Sequence, residues 1–407
     1  MRCMKIARVE QFHVEGGLKP LGFLKITAAC GMAGWSEYSE ILGGAGVSGV
    51  IARLADGLVG TDPRDTAQLA QRLEAQTRSA AGGLNAQAAA AIENACLDLK
   101  ARALGVPVYE LFGGSVRDRL PCYWSHFGMY RVQGAAALGV SPLRSLDDLG
   151  ALVAEAIARG FRTLKTNVML FDEGAEPRLY MPGFGRGAGG PGLNLDDALL
   201  RAIERQMAVL RAAAGPHFGL ALDLNFNFRP AGVRRIAQSL ESVRLMWLET
   251  DLPDPAALAA IRQSTATPIA SLEAVLQRRG ALPYLAAQAV DYAIVDVMWA
   301  GMGEAVRLAA LAGAFDVSIN SHVFSSPLAT AMAAHLCAVT PNFHLMELDV
   351  DVPASVSGLF QQQLQIANGH LLVPAGPGWG IVPDEVALLQ RGRRLGVNPS
   401  TAKISLS

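Results

Sequence analysis

The sequence predicts an α/β chain built on a (β/α)8-type (modified TIM) barrel, with an N-terminal α+β capping domain completed by the C-terminal segment. Two observations carry this. Short apolar runs recur at 219–222, 243–248, 268–272, 292–295, 317–321 and 343–346, each closing on a titratable residue: Asp223, Glu249, Glu273, Asp296, His322 and Glu347. The intervals between those residues, by subtraction of their numbers, are 26, 24, 23, 26 and 25. An interval of about 25 residues holds one strand, one loop and one helix, and each run is followed by an Ala/Leu-rich stretch of helical length. Residues at the carboxyl ends of barrel strands converge on one mouth. Asp223, Glu249 and Glu273, on three consecutive strands, are therefore expected to meet there and hold a metal ion.

The bulk properties bound the rest. A chain of 407 residues has room for a barrel of about 250 plus a smaller domain. Apolar content of 51% with 17% charged residues describes a globular protein, and a net charge of −1 argues against nucleic acid and anionic membrane as partners. No apolar run is long enough for a membrane span, and residues 1–10 lack a signal-like apolar core. Five scattered cysteines (Cys3, Cys30, Cys96, Cys122, Cys337) form no metal-like pair and fit a reduced, cytoplasmic protein.

Taken in order, residues 4–14 and 21–30 read as a hairpin joined by the Gly/Pro-rich turn 15–20, with Gly34 to Glu37 in a second turn. The hairpin tip places His13, Lys19 and Trp35 within reach of the barrel mouth, and Glu37 and Tyr38 are further cap-side candidates. Residues 63–104 read as helical, with Asp62 as N-cap and Pro63 at the first position, and Gly105 and Pro107 end the pattern. The capping domain then spans residues 1–120, the barrel 121–350, and the C-terminal segment 351–407 packs back on the cap through the turn Gly376-Pro377-Gly378-Trp379-Gly380. The barrel opens at 120–125. Its first helix is marked by the capping pair Ser145 and Asp148, an apolar stripe from Leu149 to Ile157, and Gly160 as stop. Strand two, 161–164, ends in Lys165-Thr166-Asn167. The insert that follows, 171–196, holds seven glycines and three prolines together with Arg178, Tyr180 and Arg186, and reads as a lid over the mouth.

Together these features resemble the enolase superfamily, in its mandelate racemase/muconate lactonising branch. The resemblance rests on the Asp-Leu-Lys-Ala-Arg-Ala-Leu-Gly-Val-Pro-Val-Tyr-Glu-Leu-Phe-Gly-Gly stretch ending at Gly114, on Trp247-Leu248-Glu249, on Pro268-Ile269-Ala270 leading to Glu273, and on the late Pro-Gly-Trp-Gly. It implies abstraction of a proton α to a carboxylate, with the enediolate held by Mg2+. On that resemblance Asp223, Glu249 and Glu273 are the metal ligands, hard oxygen donors suited to Mg2+. His322 and Asp296 are a His–Asp dyad, and Glu347 is the strand-eight acid that hydrogen-bonds substrate. Homo-oligomers are common in the family and are expected here.

Two departures shape the functional expectation. The branch carries Lys-x-Lys at the end of strand two, whereas this chain has Lys165-Thr166-Asn167. Galactonate-type dehydratases with Lys-x-Asn place a histidine two residues after the first metal ligand, and here that residue is Asn225. One strong base then remains, His322, which disfavours racemisation and suits a syn elimination in which the same histidine protonates the leaving β-hydroxyl. Lys165 would polarise the carboxylate or serve as base, and His126 and Tyr180 are candidates for the missing acid. Asn167, Asn225, Asn227, Glu347 and His322 make a polar mouth suited to a polyhydroxy acid. The expected activity is Mg2+-dependent dehydration of an acid sugar to a 2-keto-3-deoxy acid. The alternatives are a sugar-lactone cycloisomerase or epimerase on the same enediolate, and a non-catalytic sugar-acid-binding descendant.

Overall fold

The computed structural model describes residues 4–185 and 190–397. Eight strands form the barrel: Arg119–Ser125, Thr163–Asn167, Gly219–Asp223, Trp247–Glu249, Ile269–Ser271, Tyr292–Val295, Ser318–Ser321 and Phe343–Asp349. Each pairs in parallel with the next, and the eighth closes on the first with Met346 opposite Cys122 and Asp349 opposite Ser125. The apolar runs are strands because they are covered on both faces. One layer of Tyr123, Ala221, Trp247, Ala270 and Ile294 fills the barrel interior, and the other face packs on the helices.

Local signals place the helices. Ser145 and Asp148 form the expected capping box on helix Leu146–Ala158, and Gly160 follows in the left-handed region at φ 80°. Asp196, Asp254 and Ser326 cap the helices Asp197–Ala214, Pro255–Gln263 and Pro327–Val339 through their side chains. Among the described residues no barrel-length helix follows strand eight. The chain turns through the short helix Ala354–Ser357 towards the cap.

Three expectations are corrected. Residues 33–38 are not a turn but a third strand, Ala33–Tyr38, paired antiparallel with Pro20–Ala28. Gly34 is there for packing: a Cβ would lie 2.2 Å from the Ala95 carbonyl oxygen on the helix below. The helical stretch 63–104 is two helices, Thr66–Thr77 and Gly83–Leu104, parted at Gly82 and Gly83, which both take positive φ. Glu347 sits inside strand eight, which runs two residues past it to Asp349.

The cap sheet places Gly392–Val397 beside Ile6–Glu15, then Pro20–Ala28, then Ala33–Tyr38. The turn at Trp379 is gripped by buried Asp98, which accepts from the Trp379 and Trp35 backbone N–H groups at 2.8 Å each. The Trp379 indole donates to the Trp35 carbonyl at 3.0 Å. His335 pins the same junction. Its Nδ1 accepts from Tyr109 N and its Nε2 donates to the Trp379 carbonyl, both at 3.2 Å.

Burial holds the His335 imidazole neutral, with its pKa lowered to about 4. The unfolded chain, with histidine near its ordinary value of 6.5, takes up this proton first as pH falls. Stability from this site is therefore complete above about pH 6.5 and is lost between there and about pH 4, roughly 3 kcal/mol in all. Urea unfolding of wild type and His335→Gln at pH 7.5 and 4.5 is expected to show their stability difference shrinking at the lower pH. A constant difference would contradict this reading.

Candidate active site

The carboxyl ends of the strands surround a cavity of about 240 Å³ beneath the cap. His126, Asn167, Asp223, Asn225, Glu273 and His322 line it from the barrel, and Ser39 and Gln87 line it from the cap. The remaining wall is apolar and includes Met129, Phe226, Leu276, Met298, Trp299 and Phe324.

His322 follows strand seven and Asp296 follows strand six, so adjacent parallel strands bring them together across 26 residues of sequence. His322 Nδ1 meets Asp296 Oδ2 at 2.7 Å, and its Nε2 lies 3.5 Å from Glu273 Oε2. Asp296 is itself fixed, because its other oxygen accepts from Met298 N and Trp299 N. Burial opposes charge on His322, but the Glu273 and Asp296 carboxylates outweigh it and raise the imidazole to about 10.

Lys165, 2% exposed, sits among three carboxylates: Glu249 Oε1 at 2.7 Å, Glu347 Oε1 at 3.0 Å and Asp223 Oδ2 at 3.8 Å. Burial disfavours its charge, yet Glu249, Glu347 and Asp223 hold it protonated, well above its ordinary value. It is a fixed cation below the cavity, and this placement does not suit the base role. Glu347 accepts from Ser125 Oγ and from Val323 N, and despite burial Lys165 keeps it ionised. It braces the His322 loop from beneath and does not line the cavity.

Asp223 and Glu273 reach the cavity, whereas Glu249 turns to Lys165 and to Trp247 Nε1, which donates to it at 2.9 Å. In these side-chain positions the described residues form no closed coordination shell. The donor chemistry nonetheless suits a hard dication. Burial first, and then repulsion from Glu249, raise Asp223, and burial raises Glu273 above the ordinary carboxylate range. A cluster this short of positive charge favours a bound cation. Asp251, unnoticed in the sequence, adds a further carboxylate behind Glu273. It accepts from Ser271 Oγ and Leu272 N, and burial lifts it to about 6.

The asparagines hold Asp223. Asn225 donates to it through its backbone N (2.7 Å) and side chain (3.1 Å), and Asn167 Nδ2 lies 3.4 Å from Asp223 and 3.1 Å from Asn225 Oδ1. Neither carries a proton for catalysis.

Tyr180 stands outside the cavity lining: its hydroxyl donates to the Gly192 carbonyl and its ring stacks on Phe228. Asn227 is likewise engaged, accepting from Gly183 N and donating to the Tyr180 carbonyl. It tethers the insert, whose Met181 and Phe184 complete the wall. Arg186 lies outside the described residues. The mouth is thus less polar than the sequence predicts.

Of the cap-side candidates, Lys19 reaches Asp349 at 3.4 Å. His13 instead meets the Tyr38 hydroxyl at 2.8 Å, and Trp35 is buried in the core. Glu37 accepts from Ser325 Oγ, Ser326 Oγ, Ser326 N and Ala329 N, capping helix Pro327–Val339 from the cap domain. It thereby docks the cap onto the loop that carries His322.

The structure thus joins a closed parallel barrel and a docked cap with a carboxylate cluster at strands three to five and a His–Asp pair at strands six and seven. Residues 148–387 match the enolase C-terminal-domain-like family, and residues 16–113 match the mandelate racemase/muconate lactonizing enzyme N-terminal domain. The chain belongs to this branch of the enolase superfamily and is an enzyme of that class. It is 31% identical to a D-galactonate dehydratase family member of Streptomyces bingchenggensis, over 89% of this chain and 87% of that one. It is 27% identical to a D-xylonate dehydratase of Haloferax volcanii, over 94% and 88%. Among solved structures, a "putative L-alanine-DL-glutamate epimerase" from Burkholderia xenovorans strain LB400, bound to magnesium and fumarate, superposes with a TM-score of 0.93 at 38% identity, covering 95% of this chain and 96% of that one.

Proposed function

We propose that the enzyme is a Mg2+-dependent acid-sugar dehydratase, forming a 2-keto-3-deoxy acid by loss of the α-proton and the β-hydroxyl. The observation that carries this reading is the His322–Asp296 dyad touching Glu273 inside one cavity, while the strand-two position of a second base is Asn167. The dehydratase relatives at 27–31% identity support it.

Asp223, Glu249 and Glu273 are the residues that would hold Mg2+, which supplies positive charge as the enediolate develops. With a dication on Glu273 in place of the imidazolium's own charge, His322 would give up its Nε2 proton and could then take the α-proton, and Asp296 fixes the ring so that Nδ1 is the donor within the dyad. Lys165 pairs with Glu249 and Glu347 and holds both in place. The apolar walls and the docked cap exclude water from the charges as they form. A second reading, epimerisation through the same enediolate, is favoured by the 38%-identical structure.

The test is incubation with galactonate, xylonate and gluconate, with Mg2+ or with a chelator, followed by proton NMR. New 2-keto-3-deoxy signals that depend on Mg2+ are expected. Inversion at C2 without elimination would replace the dehydratase reading with the epimerase one.

A further inference from the structure

A second His–Asp pair faces the same cavity. His126 follows strand one, and its Nδ1 meets Asp349 Oδ1, at the end of strand eight, at 2.6 Å. The other oxygen of Asp349 is held by the Tyr130 hydroxyl at 3.3 Å and by Lys19 Nζ at 3.4 Å. Phe324, two residues beyond His322, packs its ring 4.9 Å from the His126 ring and lies under the Lys19 ammonium at 3.5 Å. The construction repeats that of His322 and Asp296, with a carboxylate fixed by other donors gripping Nδ1 and so presenting Nε2.

His335, which pins the cap junction, has both nitrogens engaged. His126 engages only Nδ1, and no described residue takes a hydrogen bond from Nε2. Its backbone is left-handed at φ 50°, a conformation unfavourable for a side-chain-bearing residue. Asn225 and Leu272, at the ends of strands three and five, share this feature at φ 53° and 93°. His126 touches none of the carboxylates assigned to the cation, whereas His322 touches Glu273.

We propose that His126, positioned by Asp349 and through it by Lys19 of the cap, is the second proton carrier of the site. This rests on the dehydratase reading above. His322 removes the α-proton. The enediolate electrons then form the Cα–Cβ double bond as the Cβ–O bond breaks, and the leaving hydroxyl takes its proton from His126 and departs as water. The resulting enol ketonises, gaining one proton at Cβ and losing one from its O–H, and exchange with water removes the proton left on His322 and returns one to His126, so that both imidazoles regain their starting states. The missing lysine at Asn167 is thus replaced by a histidine on a different strand.

The experiment uses His126→Gly, since glycine accepts the left-handed backbone and leaves space for free imidazole. It is run in D2O with Mg2+ and the substrate that wild type dehydrates. The variant is expected to form product at least about a hundredfold more slowly, while recovered substrate gains deuterium at C2. Added imidazole is expected to restore product, and Asp349→Asn to shift the same partition more weakly. Unchanged elimination in His126→Gly overturns the proposal. So does loss of exchange together with elimination that imidazole does not reverse. If wild type inverts C2 without eliminating, the dehydratase reading falls separately. His126 is then judged by whether His126→Gly stops inversion while exchange continues, and continued inversion overturns it.

Discussion

His322→Asn lowers turnover by about a thousandfold or more, and the protein still binds Mg2+. The size follows from removing the general base, an effect of about 10² to 10⁴ on its own, compounded here because Asn167 offers no substitute. The asparagine amide can keep a hydrogen bond to Asp296 but has no atom able to accept the α-proton. Metal binding is spared because the imidazole donates nothing to the cation. Its Nε2 stands 3.5 Å from Glu273, where its positive charge competes with a metal. Calorimetric titration is therefore expected to show Mg2+ affinity equal to or higher than wild type. Activity within tenfold of wild type would remove His322 from the role assigned to it, and lost Mg2+ binding would mean that the imidazole holds the site together.

Lys165→Met destabilises the fold by about 3–5 kcal/mol, the cost of leaving a buried charge without its partner. Lys165 is the cation that Glu249 and Glu347 meet at 2.7 and 3.0 Å, and both carboxylates are almost fully buried. Without it the carboxylates repel each other and Asp223, and Glu347, whose carboxyl Lys165 holds low, takes up a proton more readily in the folded state. With the folded-state affinity for protons raised, the variant regains stability as pH falls towards the carboxylate range. Urea midpoints at pH 7.5 and 5.5 are expected to bring the variant closer to wild type at the lower pH. Equal stability at pH 7.5 would show that Lys165 does not hold the cluster.

The barrel was legible in the sequence because its strands are buried on both faces and so read as unbroken apolar runs. Residues ending those runs were legible for the same reason, and adjacent strands then bring Asp296 to His322 without further information. What escaped was geometry with no local signal. Asp349 meets His126 across 223 residues, and Glu37 meets Ser325 across 288. The turn of Glu249 towards Trp247 and Lys165 is a choice between side-chain orientations that spacing does not encode. Gly34 misled because glycine marks close helix–strand packing as well as turns. Asn227, read as a polar group for substrate, is used up by the backbone of the insert.

His322 is expected to remove a proton α to a carboxylate that lies beside the cation Asp223, Glu249 and Glu273 would hold. Loss of the C2–H signal of an acid sugar in D2O, followed by proton NMR, tests it most directly. The account predicts that the signal is lost, from substrate or through product, with wild type and Mg2+, and that it persists with chelator or with His322→Asn. Loss of the signal at an undiminished rate in His322→Asn would contradict it.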